Sequence, residues 1–240
     1  MGDIVKFIIE KRNYIILFII IFLLIWIVFS NKKAYVETFN FNGIPITYVI
    51  YDKVNSDKIS KNIDEIYEIY RKKTLDEKGT NYIFNHTDEY FDETEKYLAC
   101  FSTDEVLKYF KHIGISRYMV NIDGDVIVGD NYSNNKYSVS IHDPSDNSIL
   151  KILYFNDKAL SSITSNDKMN NLTGIRKDYD MVSVLCDDIV TSNVINNYLY
   201  LLSIEEGEKV LSKNNCEGLW YQKGEIYTSE NFSKYFNKKL

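Results

Sequence analysis

By residue type, His86, His112 and His142 are the side chains best suited to hold a transition metal or move a proton. None has a cysteine, a second histidine or a carboxylate at the spacing a zinc site needs, so they read as surface or strand-end residues. The chain carries no Gly-x-Ser-x-Gly elbow, no Walker loop and no Gly-x-Gly-x-x-Gly, which excludes the common serine nucleophile and the glycine-rich phosphate cradles. Cys100, Cys186 and Cys216 are odd in number, so at least one thiol is unpaired in a monomer. What remains is a short polar run, Asn121-Ile-Asp-Gly-Asp125, followed by Gly129 and set among β-branched residues.

The elements that position this run are legible from pattern. Asp123-Gly124 between two β-branched stretches predicts a tight turn or bulge in a sheet. Upstream, Ser102-Thr-Asp-Glu105 predicts the start of a helix as a capping box, with Asp104 in the first turn, where the helix dipole favours a carboxylate. Val106, Leu107, Phe110 and Ile113 supply the apolar face and Gly114 the stop. Nearer the N-terminus, Tyr35 to Phe41 and Ile44 to Tyr51 read as strands around Asn42-Gly43, and Ile59, Ile63, Ile66, Tyr67 and Tyr70 recur at helical spacing behind a Ser56 cap. Residues 71–95 are polar and read as a surface connection.

Beyond Gly129, strands are expected at 137–141, 149–154, 158–163 and 181–185, helices at 192–202 and 204–211, and a closing strand pair around Lys223-Gly224. Residues 34–240 therefore read as one α+β domain, mixed α/β in content and rich in antiparallel strands.

Residues 14–29 contain no charge and as a helix span roughly 24 Å at about 1.5 Å per residue. Lys11, Arg12, Lys32 and Lys33 flank them and can snorkel, so residues 1–33 read as a tail and a single membrane-spanning helix. A cleaved secretory signal is the alternative; it is opposed by the absence of a small-x-small cleavage site. The lysine and arginine bias across the span is weak and favours an extracytoplasmic domain. The expected location is the cell membrane, with one pass. A net charge of −6, with basic and acidic residues interleaved, excludes a nucleic-acid surface.

The order of motifs in residues 91–236 resembles the ApbE family of FAD:protein FMN transferases, in a divergent and shortened form. The family's D-x-G-G-I-A-K-G-Y-x-x-D helix motif is matched by Glu93 to Asp104, and its N-x-G-G-D turn and later glycine by Asn121 to Asp125 and Gly129. Ile141-His-Asp-Pro144, Thr164-Ser-Asn166 and Thr173-Gly174 follow in family order, and Ser192 to Leu199 stands for the A-D-A-L-A-T-A-L helix, before Gly207.

The resemblance implies transfer of FMN from FAD to a threonine of a redox-protein acceptor, with Mg2+ acting on the pyrophosphate. It implies a cofactor surface at Asp104, Gly124, Thr164 and Ser165, and a metal site at Asn193, Asn197 and the backbone around Leu98. Several residues depart from the pattern. Asn193 replaces the anionic ligand, Glu95, Lys96 and Cys100 stand at family glycines, and Ala99 stands at the family lysine. Asp187 and Asp188 offer either a compensating cation site or a solvated loop pair. An FMN transferase with an eroded metal site and a non-catalytic flavin-binding or scaffold module at the membrane are both compatible with this pattern. So is an unrelated α+β interaction domain.

Overall fold

The computed structural model describes residues 34–74, 94–131, 135–165 and 179–237. The membrane segment 14–29, the greater part of the polar stretch 71–95, His86 and Thr173-Gly174 lie outside the described residues.

Among the described residues ten strands and four helices follow the order of the pattern. β1 (Tyr35–Phe41) and β2 (Ile44–Ile50) precede α1 (Ser56–Thr74) and α2 (Thr94–His112). Then come β3 (Tyr118–Ile122), β4 (Asp125–Val128), β5 (Tyr137–His142), β6 (Ile149–Phe155), β7 (Lys158–Thr164) and β8 (Met181–Cys186). α3 (Ile189–Leu199), α4 (Ile204–Lys213), β9 (Glu217–Gln222), β10 (Glu225–Thr228) and a 3-10 turn (Phe232–Phe236) complete the chain. Eight strands form one antiparallel sheet in the order β1-β2-β3-β4-β7-β8-β9-β10, and β5 and β6 pair separately as a hairpin. This is the α+β, antiparallel-rich architecture that the alternation of apolar residues predicts.

Three local readings are corrected. Thr94 to His112 is one continuous helix, so Ser102 and Asp104 are interior residues of α2 and form no capping box. The Ser102 hydroxyl instead donates to the Leu98 carbonyl at 2.7 Å, the back-bond that lets a serine sit inside a helix. Helix α1 is capped by Asn55, whose Oδ1 accepts from Lys58 N at 3.1 Å, rather than by Ser56. Helix α3 begins at Ile189, three residues before the expected start, because Asp188 accepts from Thr191 N at 2.7 Å as its N-cap. The expected stop of α2 stands: Gly114 lies at φ 78°, and Ile115 N donates to Phe110 O while Gly114 N donates to Lys111 O, the Schellman pattern.

The two faces of the sheet are packed differently. On one face, β5, β6 and the 3-10 turn bury Val126, Val128, Leu153, Phe155, Leu160 and Phe232. The helix face carries two separate apolar clusters. One joins β1 to β3 with α1 and α2 around Phe41, Tyr48, Ile63, Tyr67 and Phe110; the other joins β7 to β9 with α3 and α4 around Val182, Val184, Leu199, Leu211 and Trp220. A disulfide, Cys186–Cys216, ties the end of β8 to the residue before β9 and encloses α3 and α4. Cys100 takes no part in the disulfide and is buried.

Candidate functional site

Between the two clusters, where β4 pairs with β7, the helix face turns polar. Asp125 is the first residue of β4, directly after a turn in which Asp123 and Gly124 both take positive φ, 46° and 96°. Such a turn matches the twist of the flanking strands. It leaves Asp125 on the same side of β4 as Ile127, toward the helices, while Val126 and Val128 face the hairpin. Ser161 on β7 is buried nearby, and α3 covers both with Ser192, Asn193, Asn196 and Asn197, each no more than 5% exposed.

Most polar atoms of this seam are satisfied. The Ser192 hydroxyl is shared between the carbonyls of Val184 (2.7 Å) and Ala159 (3.2 Å). With its amide turned to satisfy both ends, Asn196 donates to Val182 O and accepts from Ile163 N, each at 3.0 Å. It pins the helix to two strands. Asn193 Nδ2 donates to Asp125 Oδ2 at 3.1 Å, Ser162 N donates to Asp125 Oδ1 at 3.1 Å, and Lys96 Nζ of α2 lies 3.5 Å from the same Oδ1. Burial pushes the Asp125 carboxyl above its usual range, against the pull of Lys96 and the hydrogen bonds.

Two atoms stand apart. The side-chain oxygens of Asn193 and Asn197 are buried and accept no hydrogen bond among the described residues, while Asn197 Nδ2 donates to the Asn193 carbonyl at 3.0 Å. Orphaned buried acceptors are uncommon, and each calls for a donor or a cation.

The sequence-derived candidates divide between two places. Gly124, next to Asp125, and Thr164 and Ser165, at the end of β7, lie at the same end of the sheet as Asn193 and Asn197. Ser165 N donates to Asp180 O at 2.9 Å. Leu98 is buried on α2, two residues after Lys96, with its carbonyl engaged by Ser102. Asp104 is not brought into this group. It pairs with Lys108 at 2.9 Å and lines a cleft of about 340 Å³ with Tyr118, Asp157, Asp187 and Asp188, toward the other end of β4. Asp187 and Asp188 are occupied separately, Asp187 on Lys158 at 2.6 Å and Asp188 as the α3 cap. His142 bonds Ser140 and the Asn147 carbonyl at a strand end. Among the described residues no group of three His, Cys, Asp or Glu converges on one point.

Asn193 and Asn197 are buried, whereas Tyr198, the residue after Asn197, is 52% exposed. Lys96, Asp125, Ser161 and Asn196 had not been singled out as site residues. Asp125 carried two signals in the sequence, its match to the aspartate of the family turn and its place opening the β-branched strand Val126-Ile-Val128, and both needed the position of β4 at the sheet's centre to acquire meaning.

Residues 99–220, just over half of the chain, match the model of the ApbE family. The chain belongs to the ApbE family. Solved ApbE structures share the fold at low identity. The flavin transferase ApbE from Vibrio cholerae matches with a TM-score of 0.66 at 15% identity, over 85% of this chain and 99% of that one. The ApbE protein from Thermotoga maritima matches with a TM-score of 0.67 at 12% identity, over 85% and 100%. The flavinyl transferase ApbE from Pseudomonas stutzeri, in its apo form, matches with a TM-score of 0.63 at 14% identity, over 86% and 98%. No curated protein matches the chain. Placed on the ApbE fold, the polar seam lies between β4, β7 and α3, and the matched residues 99–220 include all three elements but not Lys96.

Proposed function

We propose that this protein is a membrane-anchored, flavin-nucleotide-binding member of the ApbE family in which transfer of FMN from FAD to a threonine is slowed by an eroded cation site. The observation that carries this reading is the buried seam: a fully buried carboxylate, Asp125, beside two orphaned amide oxygens, on a fold shared with flavin transferases. Gly124, Thr164 and Ser165, at the same end of the sheet, are the surface offered to the nucleotide.

The donor set decides how the seam treats a divalent cation. Such an ion takes oxygen ligands and in flavin transfer would polarise the pyrophosphate. Asn193 and Asn197 supply neutral oxygens, the Leu98 carbonyl is engaged by Ser102, and the one carboxylate already has Lys96 against it. As it stands the seam does not fit Mg2+. This poor fit is the erosion that slows transfer; complete loss of transfer would give the second reading, a non-catalytic flavin-binding or scaffold module.

The anchor is residues 14–29; among the described residues no helix is long and apolar enough to cross a membrane. The Cys186–Cys216 disulfide supports an extracytoplasmic domain, since such bonds persist in oxidising compartments.

The test is to incubate the full-length protein with FAD, Mg2+ and a redox-protein acceptor bearing a flavinylation threonine. Flavin fluorescence on the acceptor and released AMP are then followed, alongside binding of FAD itself. FAD binding with slow transfer is the expected result. Binding without any transfer selects the scaffold module, and absence of FAD binding overturns the flavin reading.

A further inference from the structure

Lys96 is the third residue of α2, in the turn where a helix presents its positive end. An ammonium gains nothing from that position. Its side chain is only 15% exposed and lies against Asp125, which is wholly buried and reaches the rest of the seam through neutral N–H groups from Ser162 and Asn193. Among the described residues the pair balances the seam's formal charge: one carboxylate, one ammonium, and otherwise asparagine and serine. A divalent ion entering beside Lys96 would leave a large uncompensated positive charge in a buried layer, which is strongly disfavoured.

Resting on the reading of this seam as the counterpart of a cation site, we propose that the Lys96 ammonium is its resident cation, neutralising Asp125 so that the seam is assembled with no metal. The protein is therefore indifferent to divalent ions while Lys96 is in place. Removing the ammonium returns the carboxylate and the two orphaned amide oxygens to a metal.

The experiment uses the full-length protein in detergent, stripped with a chelator and titrated with Mn2+. Free Mn2+ is counted by electron paramagnetic resonance, and melting is followed in parallel with Mg2+. Wild type is expected to show no saturable binding and no Mg2+-dependent rise in Tm. Lys96→Met is expected to bind Mn2+ at least roughly tenfold more tightly and to melt higher with Mg2+. Lys96→Arg, which keeps the charge, should behave as wild type. Lys96→Gln replaces Lys96→Met if the latter does not fold.

Wild-type binding equal to that of the uncharged variant overturns the proposal and leaves the flavin-site reading intact. Absence of binding in every variant also overturns it, and FAD binding measured on the same samples then separates the two ideas. FAD still bound spares the flavin site, and FAD not bound removes both.

Discussion

Asn193 and Asn197 lie one turn apart on α3, joined by a 3.0 Å hydrogen bond from the side-chain amide of Asn197 to the backbone carbonyl of Asn193, with both side-chain oxygens buried and without a partner among the described residues. A helix that presents two bare acceptors to the interior bears an energetic cost of about 1–3 kcal/mol for each, so the arrangement is stable only because the surrounding apolar clusters hold the helix down.

Asn193→Asp adds the anionic oxygen that a hard cation prefers. With a second carboxylate to offset Lys96, the variant should show saturable Mg2+ or Mn2+ binding where wild type shows none, read by calorimetric titration. Without metal the new carboxylate would face Asp125, so the variant should also melt below wild type until the ion is added. An unchanged titration together with an unchanged melting curve would remove Asn193 from any cation site.

The disulfide closes a loop of sequence separation 30 around α3 and α4. Loop-closure entropy for that length predicts a loss of roughly 3–4 kcal/mol in Cys216→Ala, or a drop in Tm on the order of 10 °C. Reductant should produce the same drop in wild type and none in the variant. The buried Cys100 should react with a thiol reagent only on unfolding. A reductant-insensitive Tm would mean the bond does not form.

Asp52 ties the end of β2 to the approach of β3. Burial by itself would raise its carboxyl, but N–H groups of Arg117 and Ser116, each at 2.9 Å, and the Arg117 guanidinium at 2.7 Å outweigh it and hold the carboxyl below its usual range. A folded-state value below the unfolded one contributes stability above the unfolded pKa of about 3.9, and that contribution is lost as pH falls through the folded value. The stability gap between wild type and Asp52→Asn in urea should therefore be full at pH 7 and shrink below about pH 4. A gap constant down to pH 2 would contradict the ion pair.

Gly129 and Gly124 are predicted to differ. A Cβ at Gly129 would overlap the Ser116 carbonyl oxygen and stand 2.7 Å from the Tyr118 ring, whereas at Gly124 it meets nothing within 4 Å and suffers only from the positive φ. Gly129→Ala should cost about 2–3 kcal/mol and Gly124→Ala about 1 kcal/mol, compared by urea melts. The reverse order would mean that the turn, and not the packing behind β4, limits this segment.

Strands and their turns were legible because a strand states its own facing residue by residue. Apolar alternation and the pairs Asn42-Gly43, Asp123-Gly124 and Lys223-Gly224 mark the sheet without reference to any other segment. The start of α2 was not legible, because Ser102-x-x-Glu105 satisfies a local capping rule that eight further residues of helix override. Asn193 and Asn197 carry no local mark of burial either. The period of a helix says which residues share a face, but only a neighbouring sheet decides that a polar face is turned inward.

The sequence by itself determined the order of elements, the antiparallel sheet and the family likeness, since these rest on short-range pattern and motif order. The tertiary structure alone decided that Lys96 meets Asp125, 29 positions away along the chain, in a seam between two apolar clusters. That contact is set by the packing of α2 and α3 over β4 and β7, and an electrostatic pair between distant segments leaves no trace in the periodicity of either.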